Sequence, residues 1–315
     1  MPSDIANTRQ GRLATFLDHD LVYSFLHTPT AFISAAVLLV IVVTALLAPW
    51  ISPQDPHDLT QLFLDRSELP PVWIDGGELP YLLGTDQQGR DVFSALLYGS
   101  RISLFIGFLS VVIASLIGIA VGLLAGYVGG LVDAGLMRFG DLMLSIPNLM
   151  VAILFAAVFR EILSPALRDQ FAPLILTGAI VATSWVSYAR LVRARTLVES
   201  RKEYVMASRI LHTSPIRIMV AHIMPNALTP LLVAAPLQLG LAVLAEAVLS
   251  FLGVGMPPDQ PSLGTLIRIG NEYFFSGSWW VVIFPAVQLS VIILSVNLLG
   301  DWIRTALNPK LRDAG

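Results

Sequence analysis

The residues able to do chemistry are few and lie in three places. One run between apolar stretches reads Gly84-Thr85-Asp86-Gln87-Gln88-Gly89-Arg90-Asp91. A basic stretch contains Glu203, Tyr204, Val205, Met206, Ala207, Ser208 and Arg209, then His212, Ser214, Pro215 and finally Pro225. The third place is Glu246, a single acid deep inside an apolar segment. None of these builds a known catalytic signature. The chain has no His-Glu-x-x-His and no Gly-x-Ser-x-Gly, and it lacks the Gly-x-x-x-x-Gly-Lys-[Ser/Thr] phosphate loop. It is therefore not expected to hydrolyse ATP through a P-loop. The absence of cysteine excludes disulfides, thiolate nucleophiles, zinc–thiolate sites and iron–sulfur clusters. The five histidines (His19, His27, His57, His212 and His222) all fall outside the apolar segments. No catalytic residue and no metal ligand is expected, and an intramembrane protease would have nothing to work with.

Composition explains this scarcity. Of 315 residues, 55% are hydrophobic and only 13% charged, against about 25% charged in soluble domains. Mean hydropathy is +0.74. The excess apolar surface calls for lipid. The net charge of −3 argues against a nucleic-acid partner.

A membrane-spanning helix needs about 20 apolar residues, and six segments qualify: Thr30 to Trp50, Ile102 to Tyr127, Val132 to Phe159, Pro173 to Ala189, Leu228 to Val254, and Trp279 to Leu299. The first starts too late for a cleaved signal peptide and reads as a retained anchor. Before it, Leu17, Leu21, Phe25 and Leu26 recur at helical spacing and suggest a short helix on the membrane surface. With the N-terminus inside, 13 of the 19 basic residues fall on the inner side, and loop Ile51 to Tyr98 carries two basic against eight acidic residues. The positive-inside rule then puts both termini in the cytoplasm. Arg190, ending the fourth span, is expected to snorkel to the inner surface. Gly118, Gly122 and Gly126 form a stripe read as helix packing. Glu246 is equally compatible with structural hydrogen bonding and with lining a pathway.

The long outer loop ends in a segment where Thr85 and Gln88 fit a capping box. They predict a short interfacial helix, broken at Gly99 before the second span. The inner loop, 191–225, predicts a helix from Glu203 to Leu211, about 13 Å long. A stop follows at His212-Thr213, and a second start at Ser214-Pro215. The second helix should run to about Met224, with Pro225 where the chain rejoins the membrane. Seven basic residues mark this loop from Arg190 onward, and from the residues alone an ordinary basic loop obeying the positive-inside rule is an equally open reading.

Here the residues resemble a known pattern. Met206-Ala207-Ser208, His212 and His222-Ile223-Met224-Pro225 keep the spacing of the EAA loop in permeases of binding-protein-dependent ABC importers. Met206 stands where that pattern has its acid and His212 where it has its glycine. Glycine reaches positive φ at no steric cost and histidine does so uncommonly, so a slightly reshaped turn is expected. Leu83 to Leu104 (LGTDQQGRDVFSALLYGSRISL) is similar to the segment before the second span in the C-type permeases of dipeptide and oligopeptide importers. The blocks Gly126 to Asp133 and Ala245 to Gly253 resemble further parts of them.

The resemblance implies an all-α membrane protein of six transmembrane helices with the type I ABC importer permease fold, in the bacterial inner membrane. Residues 1–29 would be an N-terminal cytoplasmic segment, 30–50 the first span, 51–98 a periplasmic loop, 99–304 the five-helix permease domain and 305–315 a cytoplasmic tail. It implies a non-catalytic subunit forming half of a peptide pathway and surrounded by lipid. A homologous B-type permease, two ABC ATPase subunits and a periplasmic substrate-binding protein would complete the complex, with ATP and magnesium held by the ATPases. Nickel, glutathione or opine-like solutes are alternative cargoes. An ion-coupled secondary transporter is a more distant alternative, since intramembrane charge is nearly absent. Residues 203–209, 212, 214, 215 and 225 would couple to the ATPases. Gly84, Thr85, Asp86, Gly89, Arg90 and Asp91 would form a periplasmic gate or loop motif.

Overall fold

The computed structural model describes residues 23–306 apart from His57, Leu59, Gln61 and Phe63. Among the described residues helices dominate and no strand forms; one isolated bridge joins Thr85 to Asp91. Five helices are long and apolar enough to cross a membrane. They are α1 (Pro29–Leu46), α2 (Val92–Val128), α5 (Ala172–Glu199), α7 (Thr229–Phe251) and α9 (Trp280–Ala306). A bent pair, α3 (Gly130–Ser145) and α4 (Asn148–Ile162), meets at 90° and makes a sixth if it is counted as one span. Two further helices matter to the site. They are α6 (Glu203–Ile210), between α5 and α7, and α8 (Leu263–Tyr273), between α7 and α9.

The sequence explains the bend inside the third apolar segment, Val132 to Phe159. Proline drives the residue before it out of the α region, and Ile146, ahead of Pro147, sits at φ −98°, ψ 138°. The helix stops there and restarts in a new direction. Asp133 and Asp141, the acids of α3, are matched from α5. Arg193 pairs with Asp133, and Arg190 donates to Asp141 Oδ1 at 2.6 Å. Arg190 therefore has a partner rather than only a route to the surface.

The second span also departs from expectation. α2 runs unbroken for 37 residues, about 55 Å, and absorbs the interfacial helix. Gly99 lies inside it: a Cβ there would meet Leu266 Cδ1 at 3.2 Å and Leu263 N at 3.3 Å. This glycine makes room for α8 instead of breaking α2. The cap is not Thr85 but Asp91, whose Oδ2 accepts from Ser94 N at 2.8 Å and from Ser94 Oγ at 2.6 Å. At the far end Gly129 and Gly130 take φ of 70° and 56°, a left-handed pair that turns the chain into α3.

The central packing is α2 against α5, and the glycine stripe creates it. A Cβ on Gly118 would lie 2.4 Å from Tyr188 Cβ, on Gly122 2.6 Å from Ala189 O, and on Gly126 2.7 Å from Thr196 Cβ. The backbones meet where side chains are missing, the close approach favoured in lipid. α7 crosses α2 and packs on α8 and α9, while α1 lies outside against α9 and α2. α5 continues to Glu199, ten residues beyond the expected end of the fourth span. Of the expected N-terminal surface helix, Tyr23 to His27 are helical; Leu17 and Leu21 lie outside the described residues, as does most of the tail.

Candidate functional site

The α5–α7 connection is built as expected in outline. α6 covers Glu203 to Ile210, and its two faces differ. Val205 is fully buried and joins a core made of Val186, Tyr188, Ala189 and Val192 from α5 with Ile218, Ile223, Ala227 and Leu231. The other side is bare: Met206 is 50% exposed and Ile210 76%, as are Leu211 at the helix end (78%) and Ile216 in the segment that follows (71%). Arg209 lies over the Tyr127 ring at the end of α2, 5.0 Å from its centroid. Ala207 is exposed and Ser208 half-buried, its Oγ donating to Tyr204 O at 2.8 Å.

Polar contacts fix α6 to the helices on either side. Tyr204 OH donates to Glu199 Oε2 at 2.6 Å, and Lys202 Nζ donates to Glu199 Oε1 at 2.7 Å. Asn226 Nδ2 donates to Tyr204 OH at 3.3 Å. Burial, reinforced by the Glu199 carboxylate, raises the Tyr204 hydroxyl above its usual range and keeps it a donor. The end of α5, α6 and the start of α7 thus share one knot.

The turn after α6 keeps left-handed geometry despite losing glycine. His212 sits at φ 53°, and Thr213 N donates to Ser208 O at 3.1 Å, which closes the helix end. The reshaping expected from histidine does not occur at this dihedral; the residue bears the strain instead. Ser214 occupies the N-cap position before Pro215, at φ −58°, ψ 143°, with no side-chain cap bond.

Pro225 lies just ahead of α7. A proline disfavours the α region for the residue before it, yet Met224 lies at φ −53°, ψ −45°. Residues Ile218–Ile223 instead form a π-helical turn, and Met224 N donates to Met219 O. A proline ring clashes with the carbonyl four residues back, here Ala221, and offers no N–H. Widening the preceding turn relieves both. The chain is therefore helical from Pro215 to Ala227, with the wide turn inside it, and a bend at Leu228 leads into α7.

The outer motif lies at the other end of α2. Arg90 is 1% exposed, donating through Nε to Asp86 Oδ2 at 2.7 Å and through Nη1 to Pro258 O at 2.6 Å. Asp86 Oδ1 also accepts from Gln88 N at 2.8 Å and Arg90 N at 3.0 Å. Thr85 Oγ1 accepts from Leu69 N at 2.8 Å and donates to Arg66 O at 2.6 Å, while Trp280 Nε1 donates to Thr85 O at 3.0 Å. Gln54 Oε1 accepts from Asp91 N at 2.6 Å. Burial raises the Asp91 carboxyl above its usual range. Gly84 and Gly89 take φ of 81° and 74°, which the tight reversals require. The motif pins the long loop to α2, to the α7–α8 connection and to α9.

Glu246 is held inside the bundle by hydrogen bonds. It is fully buried, and Ser103 Oγ and Ser250 Oγ each donate to it at 2.7 Å. Ser103 Oγ also accepts from Leu263 N, and Ser250 Oγ from Met256 N, both at 3.2 Å. The acid ties α2 to α7 and to the segment leading into α8. The three sequence-predicted groups are thus not brought together: α2 connects the outer motif to Tyr127, and Glu246 lies between them.

One feature escaped the sequence reading. Between α2, α4, α5 and α7 lies a cavity of about 350 Å³ lined in part by Ser110, Asn148, Thr183, Ser187, Tyr188 and Gln238. The recurrence of Thr183, Ser184, Ser187 and Tyr188 at helical spacing inside a span was its available signal.

Residues 118–313 match the family described as the binding-protein-dependent transport system inner membrane component. The chain belongs to that family. It is an inner-membrane permease subunit, and residues 17–71 match the N-terminal transmembrane domain of oligopeptide transport permease C. The permease is 40% identical to the di/tripeptide transport system permease protein DppC of Pseudomonas aeruginosa over 291 residues, covering 92% of this chain and 91% of that one. It is 39% identical to the dipeptide transport system permease protein DppC of Haemophilus influenzae over 282 residues, 90% and 91% of the two chains. For the Escherichia coli K12 protein of that name the figures are 40%, 282 residues, 90% and 89%. Among solved structures, the MetNI methionine ABC transporter in inward-facing conformations aligns at a TM-score of 0.52 and 23% identity, over 69% of this permease and 97% of that chain. That likeness carries the fold alone. Membership in the family implies an ATPase, a binding protein and a second permease as partners.

Proposed function

We propose that this permease forms one half of a peptide pathway in an ATP-driven importer. Its α6 is the coupling helix, received in a groove of an ATPase subunit. A B-type permease supplies the other half, two ATPases hold ATP and magnesium, and a periplasmic binding protein delivers the cargo. Both termini face the cytoplasm and the 51–98 loop faces the periplasm.

The observation that carries this reading is the split character of α6. One face is locked into the α5–α7 core and the other, Met206, Ile210 and Leu211, is bare. A contiguous apolar face left in water marks an interaction site. Because Val205, Tyr204 and Arg209 bind α6 to α5, α7 and α2, force applied to the bare face moves the bundle as a body. ATPase closure then tilts the spans, and access alternates if the inward and outward states differ by a few kcal/mol. The peptide assignment rests on the names of the relatives.

Reconstitution tests it. The permease with its partner permease, ATPases and binding protein should take a labelled dipeptide into proteoliposomes, and the peptide-loaded binding protein should raise ATP hydrolysis. Stimulation by nickel, glutathione or an opine instead would replace the cargo. Uptake driven by an ion gradient without ATP would end the importer reading.

A further inference from the structure

We propose that the groove between α1 and α2 holds one anionic glycerophospholipid, with its phosphate on Arg101. Two stripes of side chains face each other there. Arg101, Phe105 and Phe108 recur at i, i+4 and i+7 along α2, and Leu38, Val42 and Leu46 at i, i+4 and i+8 along α1, so each set shares one helix face. All six line the same groove, of about 840 Å³. The two helices run in opposite directions, since α1 leads to the 51–98 loop and α2 leaves it. Ala48 clusters with Leu97 and Tyr98, which sets the register: Leu46 lies toward the Arg101 end and Leu38 toward the Phe108 end.

The groove carries one charge, at the end beside the loop. Arg101 is the single ion in its lining; Tyr98 and Gln260 are the other side chains with polar groups, and the rest are apolar. Arg101 is exposed, and among the described residues no acid lies within ion-pairing distance of it. Other arginines at this end of the bundle are occupied: Arg90 by Asp86, Arg268 by Glu272, and Arg160 by the carbonyls of Gly253 and Gly255. Beyond Arg101, α2 has no further charge. Its guanidinium therefore stands at the border of the hydrocarbon, where the headgroup phosphates of the adjoining leaflet lie. The chemistry selects the ligand. A guanidinium fork matches phosphate oxygens, and the apolar wall takes acyl chains. No acid lines the groove, so a headgroup ammonium finds no partner and a headgroup of net negative charge is favoured.

The test uses the assembled complex, delipidated in detergent and titrated with phosphatidylglycerol under native mass spectrometry. Wild type should bind one more lipid than Val42→Trp, whose indole fills the groove. Arg101→Gln should weaken that lipid about tenfold, the scale of one charge-assisted hydrogen bond. Binding equal to wild type in either variant overturns the site. A second readout uses the absence of native cysteine. Bimane on Phe105→Cys, in a complex whose other chains carry no cysteine, should be quenched by acyl-brominated phosphatidylglycerol more than by equally brominated phosphatidylethanolamine. Equal quenching would mean ordinary bulk lipid, and none would mean a helix of the second permease in the groove; both contradict the proposal. Should Arg101→Gln or Val42→Trp fail to assemble, this quenching difference decides.

Discussion

At the residue scale, two side chains carry contacts that single substitutions expose. His212 holds φ 53°, a conformation costing a non-glycine residue roughly 1–2 kcal/mol. His212→Gly should therefore stabilise the turn by up to about 1 kcal/mol, read as a higher melting temperature of the purified complex with uptake retained. A lower one would mean that the imidazole contributes more than its backbone costs. Arg90 is the opposite case. Its guanidinium neutralises Asp86 out of water, and Arg90→Ala leaves a buried charge uncompensated, at about 3–5 kcal/mol. Protease should then cut the 51–91 loop far faster than in wild type. The sequence announced both positions but only one role. The glycine position of the loop pattern pointed to a left-handed turn, which histidine adopts. Thr85 and Gln88 matched a capping box by spacing, yet Thr85 binds the segment Arg66 to Leu69. Capping spacing records local options; a contact nineteen residues away in sequence decided between them.

At the element scale, apolar length was legible and breaks were not. The five continuous spans follow from hydropathy. The bend of the third was written in Ile146-Pro147, but an uninterrupted apolar run concealed it, because proline alters direction without altering hydropathy. Gly99 misled in the reverse sense, since a glycine inside a membrane helix is as often a point of close approach as a break. The glycine stripe gives the sharpest check. Gly122→Leu would drive a side chain into Ala189 O and Val192, so α2 and α5 should separate and the purified permease should lose its cooperative unfolding transition. Overpacking of this kind typically costs about 1–3 kcal/mol and occasionally more. A variant with wild-type melting would show that the two helices are not in register as described. The π-turn offers another test. Pro225→Ala restores an N–H and lets Ile218–Ile223 tighten into α-helix, rotating α6 relative to α7. Membrane insertion should persist while uptake per ATP hydrolysed drops. Wild-type coupling would deny the turn a role.

At the scale of the whole molecule, one series of contacts runs from the outer loop to α6. The outer loop is pinned to α2, α2 is welded to α5 through bare glycine backbone, and α5 is knotted to α6 by Glu199 and Tyr204. Topology can be read directly. An impermeant thiol reagent on intact cells should label a cysteine at Asp75 and spare one at Ser200, the reverse inverting the orientation. What the sequence could not supply was the division of α6 into a buried and a bare face. The pairing of Met206 with Ile210 was visible at i, i+4 spacing, but which side met the bundle depended on Ile218 and Ile223 folding back onto Val205. The most direct measurement is thiol cross-linking in the assembled complex. Single cysteines at Met206 or Ile210, each paired in turn with cysteines along the ATPase groove, should form a disulfide and stop transport until reduced. Such a bond needs Cα atoms within about 7 Å, so it reports contact rather than neighbourhood. A cysteine at Glu246, buried between α2 and α7, should not cross-link. Failure of both Met206→Cys and Ile210→Cys across the groove, with transport intact in each, would contradict the coupling role of α6.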